Sequence, residues 1–236
     1  MVWLGEKEQA GSIVIAHCGG RFDFQFLFRD YLMNDRLVNL KKTKNPILKG
    51  NKIVSATLHN DITLIDSYAF VTAPLCKFPG IFNIEEEKKG FFPHSFNRPE
   101  FWNYIGPIPD KRYYEPDTFS PSKRVEFMTW YNEQVANKAV FDFKREMIAY
   151  CHSDVQLLRI GMQRFRDMFI DLKDGTGRNI GADPFNYLTI AGVAFSGIYC
   201  TYFLPPNTIK TVKRPTKSNH SFKQILWLEY ETAKEG

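Results

Sequence analysis

A short β-rich run that ends in two glycines and leads directly into a helical pattern constrains this fold most. Residues 12–17 are rich in isoleucine and valine and predict a buried strand, while residues 24–33 predict the helix that follows it. Two more β-rich stretches, 53–58 and 62–68, flank residues 59–61, which suit a tight connection between antiparallel strands. Strand, helix and hairpin in this order predict a mixed α/β layer.

The remainder of the chain predicts irregular structure followed by helices. Residues 74–121 are crowded with proline, glycine and aromatic residues, which predicts an ordered excursion without long helices or strands. Two helical patterns follow, at 122–135 and from about 141 to 172. With 44% hydrophobic residues, including 21 Phe and 11 Tyr, the chain can form a buried core.

An acidic residue lies on the inward face of the last helical pattern. Asp154 recurs at three- and four-residue spacing with apolar neighbours and with Tyr150, so these side chains share one face. A carboxylate on such a face requires a partner, because burying its charge alone is costly. Spacing alone leaves two partners open, an arginine or backbone amide, which is the commoner arrangement, and a metal ion.

A second acidic residue, Asp23, ends the connection between the first strand and its helix. A short acid at this position commonly accepts an amide hydrogen bond and caps the helix. Gly19 and Gly20, at the mouth of the strand, would also permit close approach of a ligand, and ligands of open α/β sheets bind at the carboxyl ends of strands. Both interpretations of Asp23 remain open on the local sequence.

Cysteine spacing disfavours a secreted, disulfide-bonded protein, and the net charge does not identify a partner. The net charge of +5 is compatible with a polyanionic partner without requiring one. The four cysteines contain no CxxC pair and the amino terminus has no secretory pattern, which favours a reducing intracellular setting. Residues 184–209 carry no charge, but their polar residues and prolines favour a buried helix over a membrane span, so we expect no membrane partner.

In its ordered motifs the chain resembles the protein-primed branch of family B DNA polymerases, found in phages, linear plasmids, viruses and self-synthesising transposons. The run from Ile13 to Asp23 resembles the second exonuclease motif, and Tyr150 with Asp154 matches the third. Lys89 to Phe92 resembles a Lys-x-x-hydrophobic element that accompanies the exonuclease site in that branch. Further similar segments lie at 75–79, 88–97, 106–111, 183–185 and 203–209.

The resemblance implies a fold and a domain order. Residues 1–178 would form an α/β, ribonuclease-H-like 3′ to 5′ exonuclease domain, incomplete at its amino terminus. Residues 179–236 would form a helical linker toward a polymerase domain. The implied function is that of a DNA-directed DNA polymerase in DNA replication, of which this chain represents the proofreading region. Nucleus, mitochondrion, virus and transposon all remain open as locations.

The resemblance also implies roles for individual residues. Asp23 and Asp154 would hold two Mg²⁺ or Mn²⁺ ions, and Tyr150 would orient the attacking water. A histidine, an aromatic residue and a lysine would contact the single-stranded 3′ end of a primer-template. These DNA-binding residues are His17, Phe22 and Lys89. A terminal protein would be the priming partner.

Three departures from the family pattern bear on activity. No Asp-x-Glu motif precedes Ile13, Cys18 replaces the usual asparagine of the second motif, and Pro74 replaces a hydroxyl residue before Leu75. The polymerisation motifs are also absent. We therefore expect negligible nuclease activity from this chain alone. The alternative is a catalytically dead DNA-binding remnant of a mobile-element polymerase, which an in-frame upstream Asp-x-Glu strand and downstream palm motifs would exclude.

Overall fold

The computed structural model describes residues 7–33, 44–58, 61–85, 90–205 and 208. The predicted connection at His59-Asn60 and most of the last 30 residues of the proposed linker lie outside these ranges.

A four-stranded mixed sheet forms the centre of the amino-terminal half. Its strands are β1 (Ile13–Ala16), β2 (Lys44–Lys49), β3 (Lys52–Thr57) and β4 (Thr63–Asp66), in the order β1-β4-β3-β2. β1 runs parallel to β4, whereas β3 is antiparallel to both β2 and β4. Helix α1 (Asp23–Met33) lies in the long connection that two parallel strands require. The predicted α/β layer, its first strand, first helix and hairpin are confirmed.

Two expectations about the strands were wrong. β1 was expected to be buried, but Ile13 is 41% exposed and the rest of the strand is half-buried. Within the described part of the chain β1 pairs only with β4, so it lies at the sheet edge. β2 was not predicted, because its lysines and Pro46 mask the strand pattern, and proline suits only an edge strand.

Helix α1 packs on one face of this sheet through Phe24 and the partly buried Leu27. Phe24 is fully buried and belongs to a cluster with residues of β3, β4 and the turn between them. Burying an aromatic side chain of this size contributes roughly 1.5–3 kcal/mol. The other buried members are Ile53, Ala56, Leu58, Ile62 and Leu64.

The proline-rich middle is ordered and irregular, as predicted. It consists mainly of short 3-10 turns, with one short helix, α2 (Phe78–Phe82), and one short strand, β5 (Ile105–Pro107). β5 pairs antiparallel with β6 (Val140–Asp142), which directly precedes the longest helix. Phe92, Phe96 and Tyr114 of this region are buried, whereas Trp102 is 49% exposed.

Two long helices occupy the positions that the sequence predicts. α3 (Pro121–Ala136) is capped by the Ser120 hydroxyl, which accepts a hydrogen bond from the Lys123 amide at 3.4 Å. α4 (Phe143–Ile170) is capped by the Asp142 carboxylate, which accepts from the Arg145 amide at 3.1 Å. A side-chain oxygen before the first turn satisfies amides that have no partner inside the helix.

The segment after α4 returns against it. Arg166 of α4 forms an ion pair with Asp183 at 2.6 Å, and this guanidinium lowers the pKa of the Asp183 carboxyl. A short helix, α5 (Ile190–Gly192), continues into a π-helix (Val193–Phe203). Among the described helices, none combines the length and the apolarity that crossing a membrane would require.

Candidate functional site

The connection between β1 and α1 is fixed by the end of the neighbouring parallel strand. Asp66, the last residue of β4, pairs in register with Ala16 at the end of β1. One oxygen of its carboxylate accepts a hydrogen bond from the Gly20 amide at 3.1 Å, and the other accepts from the Tyr68 amide at 3.0 Å. Sequence reasoning missed Asp66, because it lies within the predicted stretch 62–68 and no local pattern marks its contact with Gly20.

The two glycines of this connection are required by packing inside the protein. A Cβ on Gly19 would lie 2.7 Å from the Ala16 Cβ and 2.9 Å from the Phe24 ring. A Cβ on Gly20 would lie 2.3 Å from the Ile53 carbonyl oxygen, while the Ile53 amide donates to the Gly20 carbonyl at 3.0 Å. The close approach that these glycines permit is thus to α1 and β3.

His17 is oriented by residues of the second parallel strand and of α2. Its Nδ1 lies 2.9 Å from the hydroxyl of the fully buried Ser67, which also donates to the Ala16 carbonyl at 3.3 Å. The imidazole packs edge-on against the Phe78 ring at 5.4 Å and the Tyr68 ring at 5.8 Å. His17 therefore has a defined position at the carboxyl end of β1.

Burial makes the stability contribution of His17 depend on pH. Burial lowers the pKa of His17 below its ordinary value, while the Asp66 charge and the Ala73 carbonyl oppose this shift. The unfolded chain therefore binds the proton more readily, so the free energy of unfolding should fall as pH decreases through about 6.5. Urea denaturation from about pH 7.5 to about pH 5 should show a larger loss for the wild type than for His17→Gln. Equal pH dependence in the two proteins would contradict this assignment.

Phe22 and Asp23 lie at the surface where α1 begins. The Phe22 side chain is 62% exposed, which is unusual for a ring of this size. Asp23 is the first residue of the helix and is exposed, and no hydrogen bond joins its carboxylate to another residue in the described ranges. The capping role considered from sequence is therefore not the one observed.

Tyr150 of α4 packs against aromatic side chains of the segment around Phe92 and His94. Its ring is 5.3 Å from the Phe92 ring and 5.3 Å from the His94 ring. Phe92 is the hydrophobic residue of the predicted Lys-x-x-hydrophobic element, so the structure brings that element to Tyr150. Lys89 itself lies outside the described residues.

Asp154 lies where α4 passes from one core cluster to another. Tyr150, one turn before it, and Met147, two turns before it, pack against an aromatic cluster that contains Phe92. One turn after it, Leu157 is buried in the cluster that contains Phe78. Asp154 is itself half-buried, so the predicted inward-facing stripe of α4 is confirmed.

Phe78 connects the two halves of the predicted site. It is fully buried, and it contacts His17 on one side while a Cβ on Gly161 of α4 would lie only 2.4 Å from its ring on the other. The end of β1 and the inward face of α4 thus meet at one shared side chain. That the carboxylates of Asp23 and Asp154 converge on a common site stays a prediction.

The donor chemistry of Asp23 and Asp154 suits a hard divalent cation. Mg²⁺ is commonly held by one or two carboxylates together with water and substrate phosphate. Within the described ranges, no group of three or more histidine, cysteine or acidic residues is arranged to hold a metal. If Asp23 and Asp154 held such an ion together, oxygens from water or a substrate would complete its set of ligands.

Comparison with known proteins identifies the family. The family described as DNA polymerase type B, organellar and viral, matches residues 6–227. A protein of Agaricus bitorquis named "Probable DNA polymerase" is 32% identical over 150 residues, which cover 63% of this chain and 18% of that protein. The chain thus spans less than a fifth of the length of this curated relative. No solved structure matches this chain.

The family match covers the β1–α1 connection, the Phe78 contact and the whole of α4. It extends over far more than half of the chain and contains each element that positions a predicted site residue. The chain therefore belongs to the organellar and viral type B DNA polymerases.

Proposed function

We propose that this chain is the proofreading 3′ to 5′ exonuclease region of a protein-primed DNA-directed DNA polymerase. The observation that carries the proposal is the contact of His17 and Gly161 with the same Phe78 ring. It joins β1, which begins the second motif, to α4, which contains the third. A ribonuclease-H-like fold is part of the proposal, supported by the parallel pair β1 and β4 with candidate residues at their carboxyl ends.

In the proposed complex, the single-stranded 3′ end of DNA lies over the β1–α1 connection. The exposed Phe22 ring offers a stacking surface for a base, which gives affinity without sequence preference. The His17 ring, oriented by Ser67, lies where the strand end would enter. Tyr150 is the candidate for orienting water through its hydroxyl, because its ring is already held by Phe92 and His94.

Asp23 and Asp154 would hold Mg²⁺ or Mn²⁺ in this proposal. Members of the family generally use divalent metals, and such an ion, when bound, activates water and stabilises the leaving oxygen of a phosphoryl transfer. The protein's own contribution is to present one exposed and one half-buried carboxylate from two different elements. DNA is the proposed macromolecular partner, together with a terminal protein as the primer.

Removing the Phe22 ring should weaken binding to a single-stranded 3′ end. Stacking of one base on an aromatic ring contributes about 1–3 kcal/mol, so Phe22→Ala should raise Kd roughly 5- to 150-fold. Fluorescence anisotropy with a labelled linear oligonucleotide measures this, and a circular single strand of the same length tests the need for an end. We expect the linear strand to bind more tightly.

The matched control is Phe195→Ala. Phe195 is also an aromatic residue on a helix surface, with 54% of its area exposed, but it lies in the π-helix and not in the β1–α1 connection. This variant should bind as the wild type does. Equal binding of linear and circular strands, or equal losses from the two alanine variants, would overturn the proposed function.

A further inference from the structure

A cavity of about 270 Å³ lies between α3, α4 and the segment that begins at Gly90. Its walls are mainly apolar and include aromatic side chains: the Phe91 and Trp130 rings are 5.3 Å apart, and the Phe92 and Tyr150 rings are also 5.3 Å apart. Aromatic walls with few polar groups are typical of sites that bind flat organic ligands. Tyr150 lines this cavity and is also a residue of the proposed nuclease site, so the two sites are adjacent.

Three polar side chains in this wall have hydrogen-bonding capacity left over. Arg145 donates to only one carboxylate oxygen of Glu146, at 3.1 and 3.3 Å, which leaves the second oxygen as an acceptor. Gln134 and Ser153 also line the cavity, and their side chains form no hydrogen bond with residues in the described part. A ligand that lies against this aromatic wall can thus form hydrogen bonds with a carboxylate, an amide and a hydroxyl.

A buried hydroxyl lies just behind the same wall. The Tyr114 ring is 5.7 Å from the Trp130 ring, and its buried hydroxyl has no hydrogen-bond partner among the residues that are described. Burial above all, then the neighbouring Tyr131 and Glu146, raises the pKa of Tyr114. The hydroxyl therefore stays protonated, and it remains a donor that a bound water or ligand could satisfy.

The volume of the cavity and the charge of its lining limit the kind of ligand that it can bind. The cavity is smaller than the roughly 300–1,000 Å³ typical of sites for drug-sized ligands, so it suits a single ring system. Among the described residues that line it, Glu146 is acidic and none is a lysine or arginine, which disfavours a phosphate group inside. A flat ring that carries an amino group satisfies both conditions, because the amino group can donate to the free Glu146 oxygen.

We propose that this cavity binds one amino-bearing nucleobase, adenine, cytosine or guanine, of the single strand that is presented to Tyr150. The base lies against the wall formed by the Trp130 and Phe91 rings, and Glu146 accepts a hydrogen bond from its exocyclic amino group. The identification of the ligand as nucleic acid rests on the proposed function. The selectivity for an amino group rests on the cavity alone.

Nucleoside titration followed by NMR tests this proposal on the 236-residue chain. The Trp130 indole N–H signal is identified by its loss in Trp130→Phe, and it should shift with deoxyadenosine and deoxycytidine. Thymidine has no exocyclic amino group, so its Kd should be about tenfold higher or more, as expected for a hydrogen bond to a charged group. Glu146→Gln should remove this preference, whereas Glu133→Gln, an exposed residue of α3 outside the cavity, should retain it.

The outcomes separate the two proposals. No shift of the Trp130 signal with any nucleoside, or an unchanged preference in Glu146→Gln, would overturn the cavity assignment while leaving 3′-end binding unaffected. Conversely, nucleoside binding with the expected preference, in a protein that does not distinguish linear from circular DNA, would overturn the proposed function and retain the cavity. Phe22→Ala should weaken strand binding and leave nucleoside binding unchanged.

Discussion

Replacing Phe78 with alanine is expected to destabilise the protein by about 3–5 kcal/mol, the range for removing a buried phenylalanine. Phe78 is fully buried, and its ring lies 5.2 Å from the Phe82 ring and 5.4 Å from the imidazole of His17. The cavity left by the ring could not be filled by Gly161, which has no side chain. Urea denaturation followed by circular dichroism measures the loss.

The same short helix provides a control for Phe78→Ala. Ile81 is 50% exposed, so Ile81→Ala should change the free energy of unfolding by no more than about 0.5 kcal/mol. Phe78→Ala should also weaken binding of a DNA 3′ end, because His17 loses a packing partner. A loss of stability below about 1 kcal/mol would show that Phe78 does not hold β1 and α4 together.

Placing a methyl group on Gly20 is expected to cost about 1–3 kcal/mol and to displace the β1–α1 connection. The added Cβ would lie 2.3 Å from the carbonyl oxygen of Ile53, a backbone atom that cannot move without distorting β3. The displacement would break the hydrogen bond from the Gly20 amide to Asp66 and move Phe22 and Asp23. Gly20→Ala should therefore lower both thermal stability and affinity for a single-stranded 3′ end.

Gly80→Ala is the matched control for this substitution. A Cβ on Gly80 would have no atom within 4 Å, and Gly80 lies in a helix, where alanine is favoured. We expect this variant to be as stable as the wild type or slightly more stable. If Gly20→Ala behaved in the same way, the β1–α1 connection would not be constrained by its contact with β3.

Patterns within short segments predicted much of the fold. α1, α3 and α4 were predicted because their apolar residues recur with helical spacing, and the inward face of α4 followed from the same spacing. The antiparallel pair β3 and β4 followed from two β-rich runs around a polar connection. β2 was missed because lysines and a proline dominate its composition, although its pairing with β3 compensates for them.

The candidate site was predicted less completely, because its geometry depends on residues far apart in the chain. The glycine pair was interpreted partly as room for a ligand, but the space beside Gly20 is occupied by the Ile53 carbonyl. Asp66 and Ser67, which fix this connection, carry no local signal that distinguishes them from other strand-end residues. Their partners became evident only once β1 and β4 were placed side by side.

The sequence by itself determined the family, helices α1, α3 and α4, the β3–β4 pair, and the types of side chain available to the candidate site. Only the tertiary structure decided that β1 lies at an edge, that Asp66 holds Gly20, and that Phe78 joins His17 to α4. The physical reason is range: helical and strand periodicity arises from neighbours a few residues apart, whereas these contacts join residues 46 or more positions apart. Such contacts form only when the whole core is packed, so their partners are set by the arrangement of elements and not by local pattern.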